Sequence, residues 1–386
     1  MNARQRFINI MSFEESDRNL FWEMGYWGET LERWYTEGLA RGHGLAKSLT
    51  ADEGVRGESA PHDSLSETKI RDLDVHEQLG MDPALVSLPV NAGPQPPFPV
   101  LILEEAEDFR LIQDELGVKK RLNKKEPSLP AFLSFPVSCR EDFEKLKAER
   151  FRSGFSERVP ADWQRRLMEY RKRDYPLAIG GYPYGFFGFL RLLLGEENLL
   201  LGFYDQPDLV KDILSFLTDF WIDLWDHALS LVSVDCAHFW EDMAYRNGPM
   251  ISPAMFREFI MPFLRARGVS TILVDTDGNL EALILLFLES GVTGLYPIEI
   301  QAGNDILAIR RRFPRLQMMG GIDKRKIARG REAIERELSE KVASLNRGGG
   351  YIPHLDHLAP PDISWADFSY YRTKLREMLE SPARRG

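Results

Sequence analysis

Short apolar runs alternate with amphipathic segments along most of the second half of the chain. Runs rich in aliphatic, aromatic and β-branched residues predict strands, and an apolar period near 3.6 residues predicts helices between them. The predicted strands cover residues 19–23, 177–182, 234–240, 271–275, 293–298, 316–321 and 349–353. The predicted helices cover residues 209–231, 252–267, 280–290 and 326–345. Strands that alternate with helices are typical of a parallel sheet built from βα units.

The number of predicted strands favours an α/β barrel. Residues 131–137 offer an eighth strand, so we predict one (β/α)8 TIM barrel over residues 1–386. An open, doubly wound sheet is the alternative, but no Gly-x-Gly-x-x-Gly turn follows an early strand. Residues 42–149 break the alternation with a polar, Gly- and Ser-rich stretch and short β-like runs. We predict an insertion here, a loop plus a small antiparallel sheet, which either covers the barrel mouth or forms the edge of a homodimer.

Composition narrows the class of protein. The chain has 386 residues, of which 44% are hydrophobic and 28% charged, and its formal net charge is −10. This balance is typical of globular enzymes, and the acidic charge disfavours nucleic acid or an anionic membrane as a partner. The two cysteines, Cys139 and Cys236, cannot form a disulfide framework or a Cys-rich zinc module. We see no membrane-spanning apolar run and no signal-peptide core, so we expect a cytoplasmic protein.

Polar side chains follow almost every predicted strand. In a (β/α)8 barrel the catalytic residues project from the carboxyl ends of the strands. Each of these acidic residues alone could simply cap the next helix, but so many of them at one mouth favour an acidic catalytic site. The acid/base or orienting groups that we predict are Glu23, Glu241, Asp242 and Asp275.

The same strand ends offer ligands for a metal ion. The ligands that we predict for one divalent metal are Asp277, Glu299 and His357. Carboxylate and imidazole ligands suit Zn, Mn or Fe(II). Asp275 is either a fourth ligand or an orienting group, and the alternatives to the histidine are His354 and Asp356. The competing interpretation is that the two aspartates cap a helix while the histidine makes a structural hydrogen bond.

Aromatic residues near the strand ends are predicted to form the pocket walls. They are Trp22, Tyr182, Tyr184 and Tyr245. Glycines 180 and 181 would let a substrate approach the backbone beside them. For the early aromatic residue Trp22, ordinary core packing is an equally good explanation. No Gly-x-Ser-x-Gly elbow occurs, so the sequence does not support acyl-enzyme chemistry.

Several motifs together resemble the uroporphyrinogen decarboxylase (URO-D) superfamily. They are residues 240–246, 251–259, 291–294 and 320–324, and residues 349–353 with Asp356 and His357 shortly after them. The resemblance covers nearly the whole chain, with residues 42–149 as its loosest part, and it implies a (β/α)8 barrel. This superfamily contains the decarboxylase and the cobalamin-linked methyltransferases.

The decarboxylase branch is the less similar of the two. It carries an Arg-rich motif near its N-terminus for a tetrapyrrole substrate with many carboxylates. Residues 19–27 of this chain contain no arginine, and an acidic mouth would repel such a polyanion. We therefore expect that uroporphyrinogen is not the substrate.

The methyltransferase branch matches in position but not in ligand type. It uses a zinc site with a His-x-Cys pair, and related zinc methyltransferases add a later Glu. Asp275-x-Asp277 and Glu299 occupy those positions here. Two carboxylates therefore replace the imidazole and the thiolate of the His-x-Cys pair. The departure argues against a soft, thiolate-activating zinc site and favours a harder site that polarises an oxygen atom.

The resemblance therefore implies a metal-assisted methyltransferase or demethylase. We predict transfer of a methyl group from a small-molecule donor to a corrinoid (cobalamin) on a separate protein, because the chain shows no cobalamin-binding domain of its own. The divalent metal that we favour is Zn. The alternatives are a URO-D-like decarboxylase of a small carboxylic acid and a small-molecule binding protein without turnover.

Overall fold

A parallel sheet forms the centre of the protein. The computed structural model describes residues 1–43, 54–56, 73–83, 85–124, 130–152, 154–262 and 269–380, with the backbone alone at 54–56. Each strand of the seven-stranded sheet pairs in parallel with the next one along the chain. In chain order these strands are β1 Val86–Ser87, β2 Leu177–Gly180, β3 Cys236–Trp240, β4 Ile272–Asp275, β5 Gly294–Tyr296, β6 Gln317–Met319 and β7 Tyr351–Ile352. Their carboxyl ends consequently meet at one end of the sheet.

Residues 19–24 close the sheet into a (β/α)8 barrel. The side chain of Asn19 donates from Nδ2 to the carbonyl of Tyr351 in β7 at 2.7 Å. On the other side, the carbonyl of Phe21 accepts a hydrogen bond from the backbone N–H of Asp82, just before β1, at 2.8 Å. The first predicted strand is thus an extended segment at the expected place, although it forms no strand ladder.

Alternate strand residues fill the barrel interior. The interior cluster contains Leu20, Trp22, Ala178, Cys236, Leu273, Tyr296, Met319 and Ile352. The helix Ala3–Met11 packs on the same cluster with its apolar face and plugs the amino end of the barrel. The backbone N–H of Gly350, just before β7, donates to the carbonyl of Ile10 in this helix at 2.6 Å. This plug leaves the carboxyl end of the barrel as the open mouth.

Helices surround the sheet and bury their apolar faces against its outer side. The remaining α-helices are Gly28–Glu37, Leu73–Leu79, Arg140–Arg150, Trp163–Arg171, Phe186–Leu194, Glu196–Asp205, Pro207–Leu231, Pro253–Met255, Ile284–Glu289, Ile306–Arg312, Lys324–Ile327, Arg331–Leu345 and Trp365–Glu380. Short 3-10 helices cover Phe155–Glu157 and Ile300–Ala302, and a π-helical turn covers Phe256–Ile260. None of the described helices combines the length and the apolar character needed to cross a membrane.

Helix starts depend on local sequence. Pro207 at the first turn begins the long helix that we predicted at 209–231, since its fixed φ suits a helix start. The side chain of Asp305 accepts hydrogen bonds from two N–H groups of the helix Ile306–Arg312. The helix predicted at 252–267 is instead a short turn of helix followed by the π-helical turn, and residues 263–268 lie outside the described residues.

A four-stranded antiparallel sheet stands apart from the barrel. Its strands, in spatial order, are Leu101–Glu105, Phe109–Gln113, Lys119–Asn123 and Ala131–Ser134. The prediction that residues 131–137 form the eighth barrel strand is wrong, because Ala131–Ser134 pairs antiparallel with Lys119–Asn123 and is exposed along its length. The barrel strand that we missed is β1, whose two residues are too few to give a periodic signal. A role for this sheet in a homodimer stays a prediction.

A buried ion pair joins residues 19–24, the closing segment, to the C-terminal helix Trp365–Glu380. Glu23 Oε2 accepts hydrogen bonds from Arg372 Nη1 at 3.1 Å and from Tyr371 Oη at 3.2 Å. Glu23 Oε1 accepts from the backbone N–H of Leu355 at 2.8 Å. Both charged side chains are fully buried. In such a pair the loss of one partner leaves the other charge without compensation.

We predict that Arg372→Met lowers the free energy of unfolding by about 3–5 kcal/mol, because Glu23 then lies buried without its cation. Urea denaturation of the full chain measures this change. The control is Glu332→Ala, which breaks a fully solvated pair with Arg336 and should cost less than about 1 kcal/mol. Equally small losses in the two variants would contradict the prediction.

Candidate active site

The carboxyl ends of the strands bring the predicted polar residues to one mouth. Asp242 comes after β3, Asp277 after β4, Glu299 after β5 and His357 after β7. Their exposure differs with depth. The side chains of Asp277 and His357 are 38% and 20% exposed, whereas Asp275, at the end of β4, is only 4% exposed. The mouth therefore has an outer pair and a deeper carboxylate.

Asp277 and His357 face each other at the outer level. His357 Nε2 lies 3.3 Å from Asp277 Oδ2, and the imidazole stacks on the ring of Trp27 with 6.3 Å between centroids. Burial disfavours the charged imidazole, but the hydrogen bond and the charge of Asp277 outweigh it and raise the pKa of His357 above its ordinary value. His357 consequently keeps its proton to a higher pH than an exposed histidine does.

Asp242 supports this pair from the end of β3. It adopts a positive φ of 41°, which is rare for a residue other than glycine. Its Oδ1 accepts from the backbone N–H of Asp277 at 3.3 Å, and its Oδ2 accepts from Arg191 Nη1 at 3.1 Å. Burial and the charge of Asp277 raise the pKa of Asp242 to about 6, against the opposing effect of Arg191. This carboxyl group can therefore carry a proton close to neutral pH.

Glu299 is held by neighbouring donors. Its Oε2 accepts from the backbone N–H of Gly278 at 3.0 Å, and its Oε1 accepts from Gln301 Nε2 at 2.9 Å. Gly278 has φ +84°, and a Cβ there would lie 2.4 Å from the carbonyl oxygen of Ala244, so only glycine fits. Lys324 Nζ lies 3.8 Å from Glu299 Oε1 and is nearly buried.

Lys324 is a mouth residue that the sequence reasoning missed. It comes after Asp323 just beyond β6, and Asp323 caps the short helix that Lys324 begins. A lysine at the start of a helix usually points into solvent. The residue type of Lys324 alone therefore did not predict a place in the mouth. Its place directly after a barrel strand was the available signal, since such residues reach the mouth.

The other two candidates after the last strand have structural partners. His354 is buried, its Nδ1 lies 2.7 Å from the carbonyl oxygen of Leu355, and burial lowers the pKa of His354 to about 4. Asp356 accepts hydrogen bonds from the backbone N–H groups of Ile300 at 3.0 Å and Lys324 at 3.1 Å. Asp356 thus ties together the loops after β5 and β6.

Asp275 lies in a deeper group that includes a histidine and a tyrosine. Asp275 Oδ2 lies 3.8 Å from His238 Nε2 and has no hydrogen-bond partner. The hydroxyl of Tyr296 contacts the same imidazole, 3.1 Å from Nδ1. His238 had no place in the site predicted from the sequence, because this histidine lies inside a strand and not after its end. Its spacing of two from Cys236, which faces the barrel interior, was the signal that it points inward.

Two predicted acid/base groups lie behind the mouth. Glu241 is fully buried and accepts from the backbone N–H groups of Phe186 at 2.9 Å and Phe187 at 2.6 Å, at the start of a helix. Burial raises the pKa of Glu241 to about 7, although these hydrogen bonds oppose the shift. Glu23 is paired with Arg372 on the outer side of the barrel. The structure places both carboxylates in supporting positions, and their acid/base roles stay predictions.

The predicted pocket aromatics occupy different depths. Trp22 is buried in the barrel interior. Tyr182 and Tyr245 are about half exposed at the rim, where the ring of Tyr182 lies 4.8 Å from that of Trp240. The hydroxyl of Tyr184 is buried, and this burial raises the pKa of Tyr184 to about 12. Tyr182 and Tyr245 are thus the two whose exposure suits a pocket wall.

Comparison with known proteins supplies the family. Residues 107–376 match the model of the uroporphyrinogen decarboxylase (URO-D) family. The chain belongs to this family. Among solved structures, a methyltransferase from Methanosarcina mazei is similar, with a TM-score of 0.60 and 15% identity over 98% of each chain. At this identity the likeness shows a shared fold. A comparison with curated proteins gives no match.

The structure brings together two of the three residues predicted to bind a metal ion in this URO-D family member, Asp277 and His357. Within the described part of the chain, no three His, Cys, Asp or Glu side chains are arranged to hold a metal ion. Asp277 and His357 could supply two ligands, but Glu299 is engaged by other donors and has the ammonium group of Lys324 nearby. That cation would compete with a metal ion for the carboxylate. The Zn site stays a prediction, and the chemistry that we propose for the mouth does not depend on it.

We predict that Asp277→Asn lowers the pKa of His357, because the neutral amide no longer favours the imidazolium. An NMR titration of the histidine rings in the full chain measures this pKa. Because the folded-state pKa is raised, the pair stabilises the protein at low pH, and this contribution is lost as pH rises through the raised value. The exposed control Glu281→Gln should change neither quantity. An unchanged His357 pKa in Asp277→Asn would count against the pairing.

Proposed function

We propose that this URO-D family member removes a methyl group from a small substrate and delivers it to a corrinoid on a separate protein. The observation that carries the proposal is the Asp277–His357 pair, held 3.3 Å apart at the open mouth. Asp277 lies where the resemblance to the methyltransferase branch implies reactive groups. The methyltransferase from Methanosarcina mazei, which shares the fold along its whole length, also supports it.

The chemistry requires a proton at the mouth. When a methyl group leaves an oxygen atom, the carbon–oxygen bond breaks and the oxygen keeps the bonding electron pair. The electron pair for the new bond to carbon comes from the reduced corrinoid on the partner. Protonated His357 can donate its proton to the departing oxygen, and the neutral imidazole then regains a proton from water, which reaches this partly exposed side chain.

Asp277 prepares His357 for this role. Its carboxylate favours the charged imidazole before the reaction and limits the rotation of the ring. The ring of Trp27 stacks on the imidazole of His357 and helps to fix its plane. Asp242 in turn accepts from the backbone N–H of Asp277, which positions the aspartate. His357 is thus a proton donor that the carboxylate of Asp277 orients, which is the arrangement that general acid catalysis needs.

The charge of the mouth argues against a polycarboxylate substrate. Two like charges 4 Å apart repel by about 4 kcal/mol at an effective dielectric constant of 20. Asp242, Asp275 and Asp277 would each repel a substrate carboxylate that entered between them. A tetrapyrrole with many carboxylates therefore does not suit this mouth, whereas a neutral or cationic small molecule does.

We predict that His357→Ala lowers the rate of methyl transfer about 10²- to 10³-fold, because a positioned general acid contributes on this scale. The assay supplies a panel of methylated small molecules and a reduced corrinoid protein, and follows the methylated corrinoid by absorbance. The control is His227→Ala, at an exposed helix position, which should keep full activity. Full methyl transfer by a folded His357→Ala variant would contradict the assigned role of the histidine.

Decarboxylation of a small acid is the second candidate, and one observation favours it. The pKa of Asp242 is raised to about 6, and this carboxyl group lies beside Arg191, so a group that takes up a proton in mildly acidic solution and a cation for a substrate carboxylate lie together. Release of CO2 without methyl transfer would favour this activity. Ligand binding without either reaction would favour a binding protein.

A further inference from the structure

Asp275 differs from the other carboxylates at the carboxyl ends of the strands, because one of its oxygen atoms has no hydrogen-bond partner. Among the described residues, each of the others accepts from a cation or an N–H group. The partners are Arg191 for Asp242, His357 for Asp277, Gly278 and Gln301 for Glu299, Ile300 and Lys324 for Asp356, and three backbone N–H groups for Glu241. The Oδ2 atom of Asp275 is buried and has no such partner.

The nearest cationic candidate is already engaged. His238 Nε2 lies 3.8 Å from Asp275 Oδ2, beyond hydrogen-bond distance. The hydroxyl of Tyr296 contacts this same Nε2 atom, so the imidazole is held by the tyrosine. Asp275 is 4% exposed, so bulk water does not replace the missing partner. A buried carboxylate oxygen in this position is unfavourable unless a ligand supplies a donor.

The neighbours of Asp275 indicate what kind of ligand would fit. In the sheet register, Asp275 lies directly between Trp240 of β3 and Tyr296 of β5. In-register neighbours of a parallel sheet project from the same face. The side chains of both aromatic residues therefore leave the sheet next to the carboxylate of Asp275. Beneath them lies His238, which the hydroxyl of Tyr296 contacts, and below it the barrel interior is apolar. A carboxylate between aromatic residues is the surrounding that an alkylammonium group prefers.

We propose that the deep end of the mouth binds the positively charged end of the substrate, an alkylammonium group, with Asp275 as its counter-ion. An inorganic cation would need several oxygen ligands at once, whereas an alkylammonium group needs one carboxylate and apolar or aromatic surface. The other end of the same molecule then extends outward to the Asp277–His357 pair. The inference rests on the proposed function only in naming this ligand as the methyl donor.

A pair of isosteric probes tests the proposal without any corrinoid. Choline and 3,3-dimethylbutan-1-ol have nearly the same shape, but only choline carries a positive charge. Calorimetric titration of the full chain should show that choline binds at least about tenfold more tightly, which corresponds to about 1.4 kcal/mol. Asp275→Asn should remove this preference and leave the weak binding of the alcohol unchanged. The exposed control Glu281→Gln should bind both probes as the unchanged chain does.

The comparison of the two probes on the unchanged chain stands even if Asp275→Asn does not fold. Equal affinity for the two probes, or no binding of choline in the millimolar range, would overturn the proposal. So would a folded Asp275→Asn variant that keeps the preference for choline. A chain that prefers choline but never transfers a methyl group contradicts the proposed function alone. If the unchanged chain demethylates neutral donors but does not bind choline, this inference alone is contradicted.

Discussion

Acidic side chains gathered at one end of a parallel sheet must each find a proton, a cation or an N–H group, and this requirement organises the whole mouth. Because all strands point the same way, Asp242, Asp277 and Glu299 arrive at the same place. Loops, helix starts and basic side chains then supply their partners. The result is a graded set in which the buried carboxylates other than Asp275 are bound by backbone N–H groups and the outermost one is paired with His357.

The same need for compensation ties the barrel together. The closing segment forms no strand ladder, so its position depends on side chains and isolated backbone hydrogen bonds. Glu23 binds it to the C-terminal helix through Arg372, and Asn19 binds it to β7. The helix Ala3–Met11 fills the opposite end of the barrel. Because the wall is closed and the base is plugged, the mouth is the part of the barrel that a substrate can enter.

Residues that are close together in the sequence have opposite properties at the mouth of the barrel. His354 and His357 are three residues apart, yet burial makes one difficult to protonate while Asp277 helps the other to keep its proton. Asp275 and Asp277 are two residues apart, yet Oδ2 of Asp275 is buried without a hydrogen-bond partner while Asp277 is paired with His357 and partly exposed. The pattern of carboxylates and imidazoles in the sequence is therefore informative about where the chemistry lies, but not about the role of each group.

The sequence by itself determined the α/β alternation, six of the seven strands of the parallel sheet and the acidic end of the barrel. These features are local, because they depend on hydrophobic period and on the residues that come directly after each strand. Only the tertiary structure decided that Val86–Ser87 replaces residues 131–137 as a barrel strand. Two residues are too few to show a hydrophobic period, and the sequence of the exposed edge strand within 131–137 resembles that of a core strand. It also decided that Glu241 caps a helix, that Lys324 and His238 enter the mouth, and that Oδ2 of Asp275 has no hydrogen-bond partner. Such facts depend on distances between residues far apart in the chain, which no local pattern encodes.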